Sequence, residues 1–428
     1  MKISVIGTGY VGTVSAACFA ELGHDVICVD IDAEKVGKIN SGISPVYEDG
    51  LSELLEKHAG KRLTATSDYE RAVKDSDVSL ISVGTPSDAY GNIDLSIIES
   101  ASASLGKALK SKDDYHVAVV KSTVVPETTE RFVLPILEGQ SGKTAGMDFG
   151  VAMNPEFLRE GKAVHDFMNP DKIVVGSIDG KSGDIVASLY RGLDCEVTRT
   201  NPRTAEMIKY ANNAFLATKI SFSNEVGNIC KELGIDTYEV MNAVGKDSRI
   251  GPHFLNSGAG FGGSCFPKDV RAIIGKAREI GYEPRLLESV IEVNERQPSR
   301  MVELLKKKAG NINGKKVAVL GLAFKNDTDD IRESRSIPAI KELLEDGAVV
   351  SAYDPMASDN MKKFFPYIDY CSSAKEALRG ADACLVMTEW DEFKKLDAEF
   401  GAMKGRVVVD GRHIIKPEKN IDYAGLCW

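Results

Sequence analysis

Apolar residues fall in short continuous runs separated by polar, glycine-bearing stretches. Residues 2–6 read as a buried strand, 13–22 as a helix closed by Gly23, and 25–30 as a second strand. Further strand-like runs cover 78–83, 117–121, 151–153 and 173–175. Such alternation predicts a parallel sheet with helices on its faces. Asn201 then reads as an N-cap followed by Pro202, and from there to Leu233 there is no further proline and one internal glycine, Gly227. Met207, Ile208, Ala211, Phe215, Phe222, Val226 and Ile229 recur at helical spacing across that stretch. The predicted helix is about 50 Å long, too long for one small domain to cover. It reads as a spine between two domains or as a dimer surface. Helices continue to about residue 309, and after a polar linker at 311–314 a second strand–helix alternation begins. Its strands are predicted at 315–321, 349–354, 383–387 and 407–410, with a helix at 336–347.

The turn after the first strand reads Gly-Thr-Gly-Tyr-Val-Gly at 7–12. Gly7 permits the tight turn, Gly9 lets a pyrophosphate approach the backbone, and Gly12 lets the helix pack close to the strand. Asp30 ends the second strand, where a carboxylate accepts hydrogen bonds from a ribose diol and repels a 2′-phosphate. The cofactor predicted is therefore NAD rather than NADP. Thr85, Pro86, Ser122 and Thr123 follow later strands and are expected to line the same cleft, although Thr85–Pro86 also fits plain turn chemistry. In the second alternation the corresponding turn, 321–325, keeps only Gly321, so no second dinucleotide site of this kind is expected. Lys325, Arg332 and Arg412 sit at loop ends there and together could neutralise a diphosphate. Any one of them alone reads as a solvated surface charge.

A net charge of −10 argues against a general nucleic-acid binder. No apolar run is long enough to cross a membrane, and the first strand starts too early to leave room for a signal peptide. Eight scattered cysteines without a CxxC pair suggest reduced thiols in a cytoplasmic protein, and the six histidines show no metal-ligand spacing. One thiol differs from the rest. Cys265 lies in a glycine-rich loop just before Pro267, which suits a first helical position, and beside Lys268. A helix N-terminus and a nearby cation stabilise a thiolate, which makes Cys265 a candidate nucleophile. Glu156 and Glu160, four apart after a strand, invite an acid–base role. Lys209 and Asn213 share a helix face. They could hold an oxyanion, or Lys209 could simply lie along the surface beside an apolar stripe.

Eight motifs in order carry a family resemblance over essentially the whole chain. They are GTGYVG (7–12), KSTVVP (121–126), NPEFLREG (154–161), KYANNAF (209–215), SRIG (248–251), FGGSCFPKD (261–269), GLAFKNDTDDIRES (321–334) and DGR (410–412). The sequence resembles the UDP-glucose/GDP-mannose dehydrogenase family. The resemblance implies an α/β fold of two Rossmann-type parallel-sheet domains joined by a long central helix and a helical dimerisation region. The implied division is an NAD-binding domain at 1–197, a central domain at 198–312 and a UDP-binding domain at 313–428. It implies a four-electron oxidation of a sugar C6 alcohol by two NAD, with UDP-glucose as substrate and GDP-mannose or a UDP-N-acetylhexosamine as alternatives. It also implies a homodimer, with no metal, nucleic acid or membrane.

By motif, the implied catalytic residues are Cys265, Lys209, Asn213, Asp269, Thr123 and Glu156. NAD contacts are implied for Gly7, Gly9, Tyr10, Val11, Gly12, Asp30, Lys35, Thr85, Pro86, Ser122, Thr123, Glu160, Lys268 and Arg332. Sugar-nucleotide contacts are implied for Glu156, Phe157, Leu158, Arg159, Glu160, Lys209 and Asn213. Others are Phe254, Asn256, Ser257, Gly258, Gly260, Phe261, Gly262, Phe324, Lys325 and Arg412, with Arg249 reaching the substrate of the partner subunit.

Overall fold

The computed structural model describes residues 1–88, 91–416 and 421–428. The chain divides into two compact units, Met1–Asn212 and Asn213–Trp428. In the first, eight strands among the described residues form one sheet: β1 (Lys2–Ile6), β2 (Asp25–Val29), β3 (Leu63–Thr66), β4 (Val78–Ile81), β5 (His116–Val120), β6 (Phe149–Met153), β7 (Ile173–Ser177) and β8 (Val197–Thr200). Their order is β3-β2-β1-β4-β5-β6-β7-β8. Neighbours are parallel except β6 and β7, which pair antiparallel with Ala152 opposite Ser177. Strand order reverses between β1 and β4, and in open parallel sheets the crevice beyond such a reversal is where ligands bind. The Gly7–Gly12 turn and the Thr85 turn leave from these two strands.

Among the described residues, the second unit holds six parallel strands: β9 (Lys316–Leu320), β10 (Val349–Tyr353), β11 (Asp369–Tyr370), β12 (Ala383–Val386), β13 (Val407–Asp410) and β14 (Asp422–Gly425). The order is β11-β10-β9-β12-β13-β14, which reverses between β9 and β12. Both folds are the Rossmann type that the sequence predicts.

Alternation along the strands explains how each sheet is covered on both faces. Ile3 and Val5 of β1, with Val117 and Val119 of β5, join one buried cluster. Ile6, Ala118 and Val120 join another. Four strands are absent from the sequence prediction: β3, β8, β11 and β14. All four are sheet edges. An edge strand has one partner and an exposed flank, so stretches such as Leu-Thr-Ala-Thr and Val-Thr-Arg-Thr carry too little apolar character to stand out.

The long helix runs from Pro202 to Leu233, 32 residues, beginning in the first unit and ending in the second. Among the described residues, no helix is long and apolar enough to cross a membrane.

Candidate active site

In the first unit, Gly7 adopts φ +94°, and a Cβ on Gly12 would sit 1.9 Å from the Gly7 carbonyl oxygen. Both positions therefore require glycine. A Cβ on Gly9, by contrast, would meet no atom within 4 Å among the described residues, which leaves room for a phosphate at the start of the helix Tyr10–Glu21. Ser82, just after β4, keeps its buried hydroxyl without a hydrogen-bond partner among the described residues. These features fit a dinucleotide.

Asp30 does more than the sequence suggests. Its Oδ2 accepts from the Thr8 backbone N–H at 2.7 Å and the Thr8 hydroxyl at 2.5 Å, and its Oδ1 accepts from Asp32 N–H. Burial opposes the charge, but these bonds outweigh it and hold the carboxyl below its usual range. The acid thus braces the glycine turn from the neighbouring strand. Thr85 Oγ1 donates to the Thr123 carbonyl at 3.0 Å, and Ser122 Oγ donates to the Val83 carbonyl at 2.7 Å, so the turns after β4 and β5 are tied together. Tyr10 donates its hydroxyl to Glu48, whose two oxygens also accept Gly161 N–H and Ala163 N–H at 2.7 Å. Glu48 went unnoticed in the sequence because a glutamate in a polar loop has no distinguishing pattern. Lys35 sits on a surface helix 4.0 Å from Asp32, with a side chain 40% exposed.

The segment after β6 meets the start of the long helix. Lys209 Nζ donates to Glu156 Oε1 at 2.8 Å, and both side chains are buried. Glu156 Oε2 accepts the Leu158 N–H at 2.6 Å. Burial pushes the Glu156 carboxyl up, but Lys209, joined by the Leu158 N–H and Lys121, outweighs this and holds the group below its usual range. Phe157 carries Lys172 Nζ at 4.6 Å and Lys209 Nζ at 5.4 Å over its ring. Lys121, from the KSTVVP stretch, is fully buried and donates to Asn154 Oδ1 at 3.1 Å and to the Tyr190 hydroxyl at 3.3 Å. Burial pushes its ammonium down to about 8. Arg159 forms a two-pronged pair with Asp166 at 2.6 and 2.8 Å on the surface, and Glu160 is half-buried.

In the second unit, Cys265 is exposed and caps the helix Phe266–Glu279. Phe266 takes the first helical position and Pro267 the second, one later than predicted; proline is tolerated there because that N–H also lacks an intrahelical acceptor. The Cys265 carbonyl accepts the Asp269 N–H at 2.8 Å, and Ser264 Oγ lies 3.6 Å from the sulfur. One turn into the helix, the buried Asp269 carboxylate accepts Asn213 Nδ2 and Lys268 Nζ, each at 2.7 Å. An exposed thiol and a hydrogen-bonded carboxylate thus share one helix end.

The loop before Cys265 is clamped by buried amides. Asn224 accepts Gly258 N–H, Gln297 donates to the Gly258 carbonyl, and Asn294 both donates to and accepts from the Phe261 backbone. Gly263 N–H donates to the Arg332 carbonyl. Asn294 and Gln297 do have a sequence signal, since they interrupt the apolar stripe of Val290 and Met301. A cleft of about 350 Å³ is lined by Asn256, Ser257, Gly258, Gly260 and Arg412, together with Tyr238, Asn326, Glu389, Asp391 and Lys394. Tyr238 stacks on His413 at 3.8 Å and donates to the Ser257 carbonyl. Arg412 Nε donates to the Met387 carbonyl at 2.8 Å and faces Glu389 at 3.3 Å. Lys325 Nζ lies 5.6 Å above Phe324, and Phe254 packs edge-on to Phe266.

The sequence candidates thus gather into four groups: the glycine turn 7–12 with Asp30 and the tied turns of Thr85, Ser122 and Thr123; Glu156, Phe157 and Lys209; Cys265, Asn213, Lys268 and Asp269; and residues 256–260 with Arg412. Arg249 and Arg332 stand outside them, exposed and paired with Asp247 and Asp330.

Three family descriptions match in succession. The NAD-binding domain of the UDP-glucose/GDP-mannose dehydrogenase family matches residues 1–194, its central domain 203–296, and its UDP-binding domain 318–417. A UDP-glucose 6-dehydrogenase of Haloferax volcanii is 53% identical with 100% of both chains covered. One from Bacillus subtilis is 43% identical, covering 98% of this chain and 90% of its own. The structure of a UDP-glucose dehydrogenase from Pyrobaculum islandicum superposes with a TM-score of 0.95 at 42% identity, covering 100% of this chain and 98% of its own. A glycine turn built for a dinucleotide, an exposed thiol at a helix end and these matches along the whole chain lead to one conclusion: the chain belongs to the UDP-glucose/GDP-mannose dehydrogenase family.

Proposed function

We propose that the chain oxidises the C6 alcohol of UDP-glucose to the carboxylate of UDP-glucuronate, reducing two NAD per sugar. The observation that carries this reading is Cys265, exposed at its helix N-terminus with the buried Asp269–Asn213 pair one turn further on. Relatives named for this substrate at 53% and 43% identity support it.

The chemistry explains why a thiol is wanted. The first oxidation yields an aldehyde, which is a poor hydride donor. Addition of the Cys265 thiolate converts it to a thiohemiacetal, a tetrahedral carbon bearing an oxyanion and a hydride ready to leave. Loss of that hydride leaves a thioester, and water cleaves the C–S bond to release the carboxylate and regenerate the thiolate. Bound NAD supplies the hydride acceptor for both oxidations. Lys209 and Asn213 stabilise the oxyanion. Glu156, ionised in its buried pair, works with Asp269 and Thr123 to take the proton from the attacking water.

Gly7, Gly9, Tyr10, Val11, Gly12 and Asp30 hold the cofactor, with Thr85, Pro86, Ser122, Thr123 and Glu160 along the cleft and Lys35, Lys268 and Arg332 as outlying contacts. Phe157, Leu158 and Arg159 meet the sugar. Residues 256–262, Phe254, Phe324, Lys325 and Arg412 take the UDP, and Arg249 reaches the partner's substrate. The domains divide at 1–197, 198–312 and 313–428. The protein is a cytoplasmic homodimer that works without a metal. Support for the dimer comes from Phe215, Phe222 and Ile229, seven residues apart on the long helix and each more than half exposed.

The test counts NADH per sugar with UDP-glucose, GDP-mannose and UDP-N-acetylglucosamine. Two NADH per UDP-glucose is expected. One NADH with release of free aldehyde excludes the thiol route, and faster turnover of another sugar nucleotide reassigns the substrate.

A further inference from the structure

We propose that Glu206 is a positioning residue that fixes the turn after Thr123 against the helix carrying Lys209, and so sets the geometry in which NAD is bound. The inference rests on the cofactor reading above for Ser122 and Thr123.

Glu206 is fully buried on the long helix, one turn before Lys209. Its Oε2 accepts the Glu127 N–H and its Oε1 the Thr129 N–H, each at 2.7 Å. A single carboxylate therefore grips two peptide groups of the segment that follows Thr123. Between them the backbone turns sharply. Thr128 N–H donates to the Val125 carbonyl at 3.2 Å, and Pro126 and Glu127 occupy the central positions.

Glu127 has φ +83°, a left-handed conformation in a turn whose third position ordinarily calls for glycine. A residue with a Cβ stays there only when its surroundings hold it. The Glu206 clamp supplies that hold. The Glu127 side chain reaches outward to Arg131 at 3.0 Å and Arg203 at 3.9 Å. The same turn is anchored on its other side where Thr85 Oγ1 meets the Thr123 carbonyl. With the clamp in place, Ser122 and Thr123 stand in fixed register with Lys209. Without it, Glu127 relaxes to negative φ and the preceding residues shift.

A buried glutamate with two charge-assisted bonds to backbone N–H groups is costly to alter. Burial also pushes its carboxyl up to about 7, and the neighbouring Glu130 adds to this, so a single bound proton weakens the grip.

The test is NAD affinity by titration calorimetry, which does not depend on turnover, together with the KM for each substrate. Glu206→Gln offers one acceptor where the clamp needs two. We expect its NAD dissociation constant to rise roughly tenfold or more, with the KM for UDP-glucose within about twofold of wild type. Adding Glu127→Gly, which takes positive φ without a clamp, should recover most of that loss. A general loosening of the fold would not be repaired by glycine at one turn.

NAD affinity unchanged in Glu206→Gln, or no recovery in the double variant, overturns the proposal. Should Glu206→Gln fail to fold, amide exchange in the unaltered protein decides: Glu127 and Thr129 must be protected as strongly as the helix core, and fast exchange at either removes the clamp. Wild type that binds NAD but oxidises no sugar nucleotide would instead count against the reaction assigned above, leaving the clamp to be judged on NAD affinity alone.

Discussion

Replacing Lys209 with methionine leaves the Glu156 carboxylate buried without its ammonium partner. The two charges stand 2.8 Å apart with side chains 3% and 7% exposed. At an effective dielectric near 20 their attraction is about 6 kcal/mol, much of it offset by the cost of taking both groups out of water. Removing one partner of such a pair costs about 3–5 kcal/mol, because the stranded charge keeps its desolvation penalty. For a domain of about 200 residues this lowers the melting temperature by roughly 6–20 °C.

The pH dependence has a definite sign. In the wild type the folded Glu156 carboxyl lies below its ordinary 4.5, so its contribution is present above that pH and is lost as pH falls through the folded value. In the variant, burial loses its main counterweight and the carboxyl shifts upward. The deficit is then greatest at neutral pH and shrinks toward pH 5 as the group takes up a proton. Glu156→Gln in the same chain removes the stranded charge and should restore about 1–3 kcal/mol, while activity stays lost. Scanning calorimetry of the three proteins from pH 5 to 9 is the assay. Melting temperatures that agree within about 1 °C, or a double variant no more stable than Lys209→Met, would refute the reasoning.

Cys265→Ser should cut NADH formation by about a thousandfold, because a serine hydroxyl is scarcely ionised at neutral pH; unchanged turnover in a stopped assay removes Cys265 from the chemistry. Gly12→Ala brings a methyl to 1.9 Å from the Gly7 carbonyl oxygen and should weaken NAD at least about tenfold in calorimetry. Lys121, held near 8 against an ordinary 10.5, binds fewer protons folded than unfolded between those values, so its contribution to stability rises with pH there. Lys121→Met should therefore remove roughly 2 kcal/mol of that rise, read as the difference between the two unfolding curves at pH 8 and pH 10. Phe222→Glu puts a charge in the exposed apolar stripe and should yield monomer in sedimentation; an intact dimer moves the interface elsewhere.

The sequence alone determined those features whose cause is local. Gly7 is dictated by the left-handed conformation of its turn and Gly12 by contact with the Gly7 carbonyl five residues back, the long helix by its uninterrupted period, and the central strands by burial on both faces. Cys265 is legible for the same reason, since a glycine-rich loop running into a helix can be read within ten residues. Only the tertiary structure decided what depends on distant partners. The edge strands β3, β8, β11 and β14 lack the apolar signature because half their surroundings are solvent. Asp30 shows in sequence as a ribose acceptor, but its hold on Thr8 comes from β2 lying beside β1. Glu206, Glu48 and Asn224 look like ordinary polar residues until folding brings peptide N–H groups against them. A polar residue's identity says that it can form a hydrogen bond. Which bond it forms is set by chain segments tens to a hundred residues away.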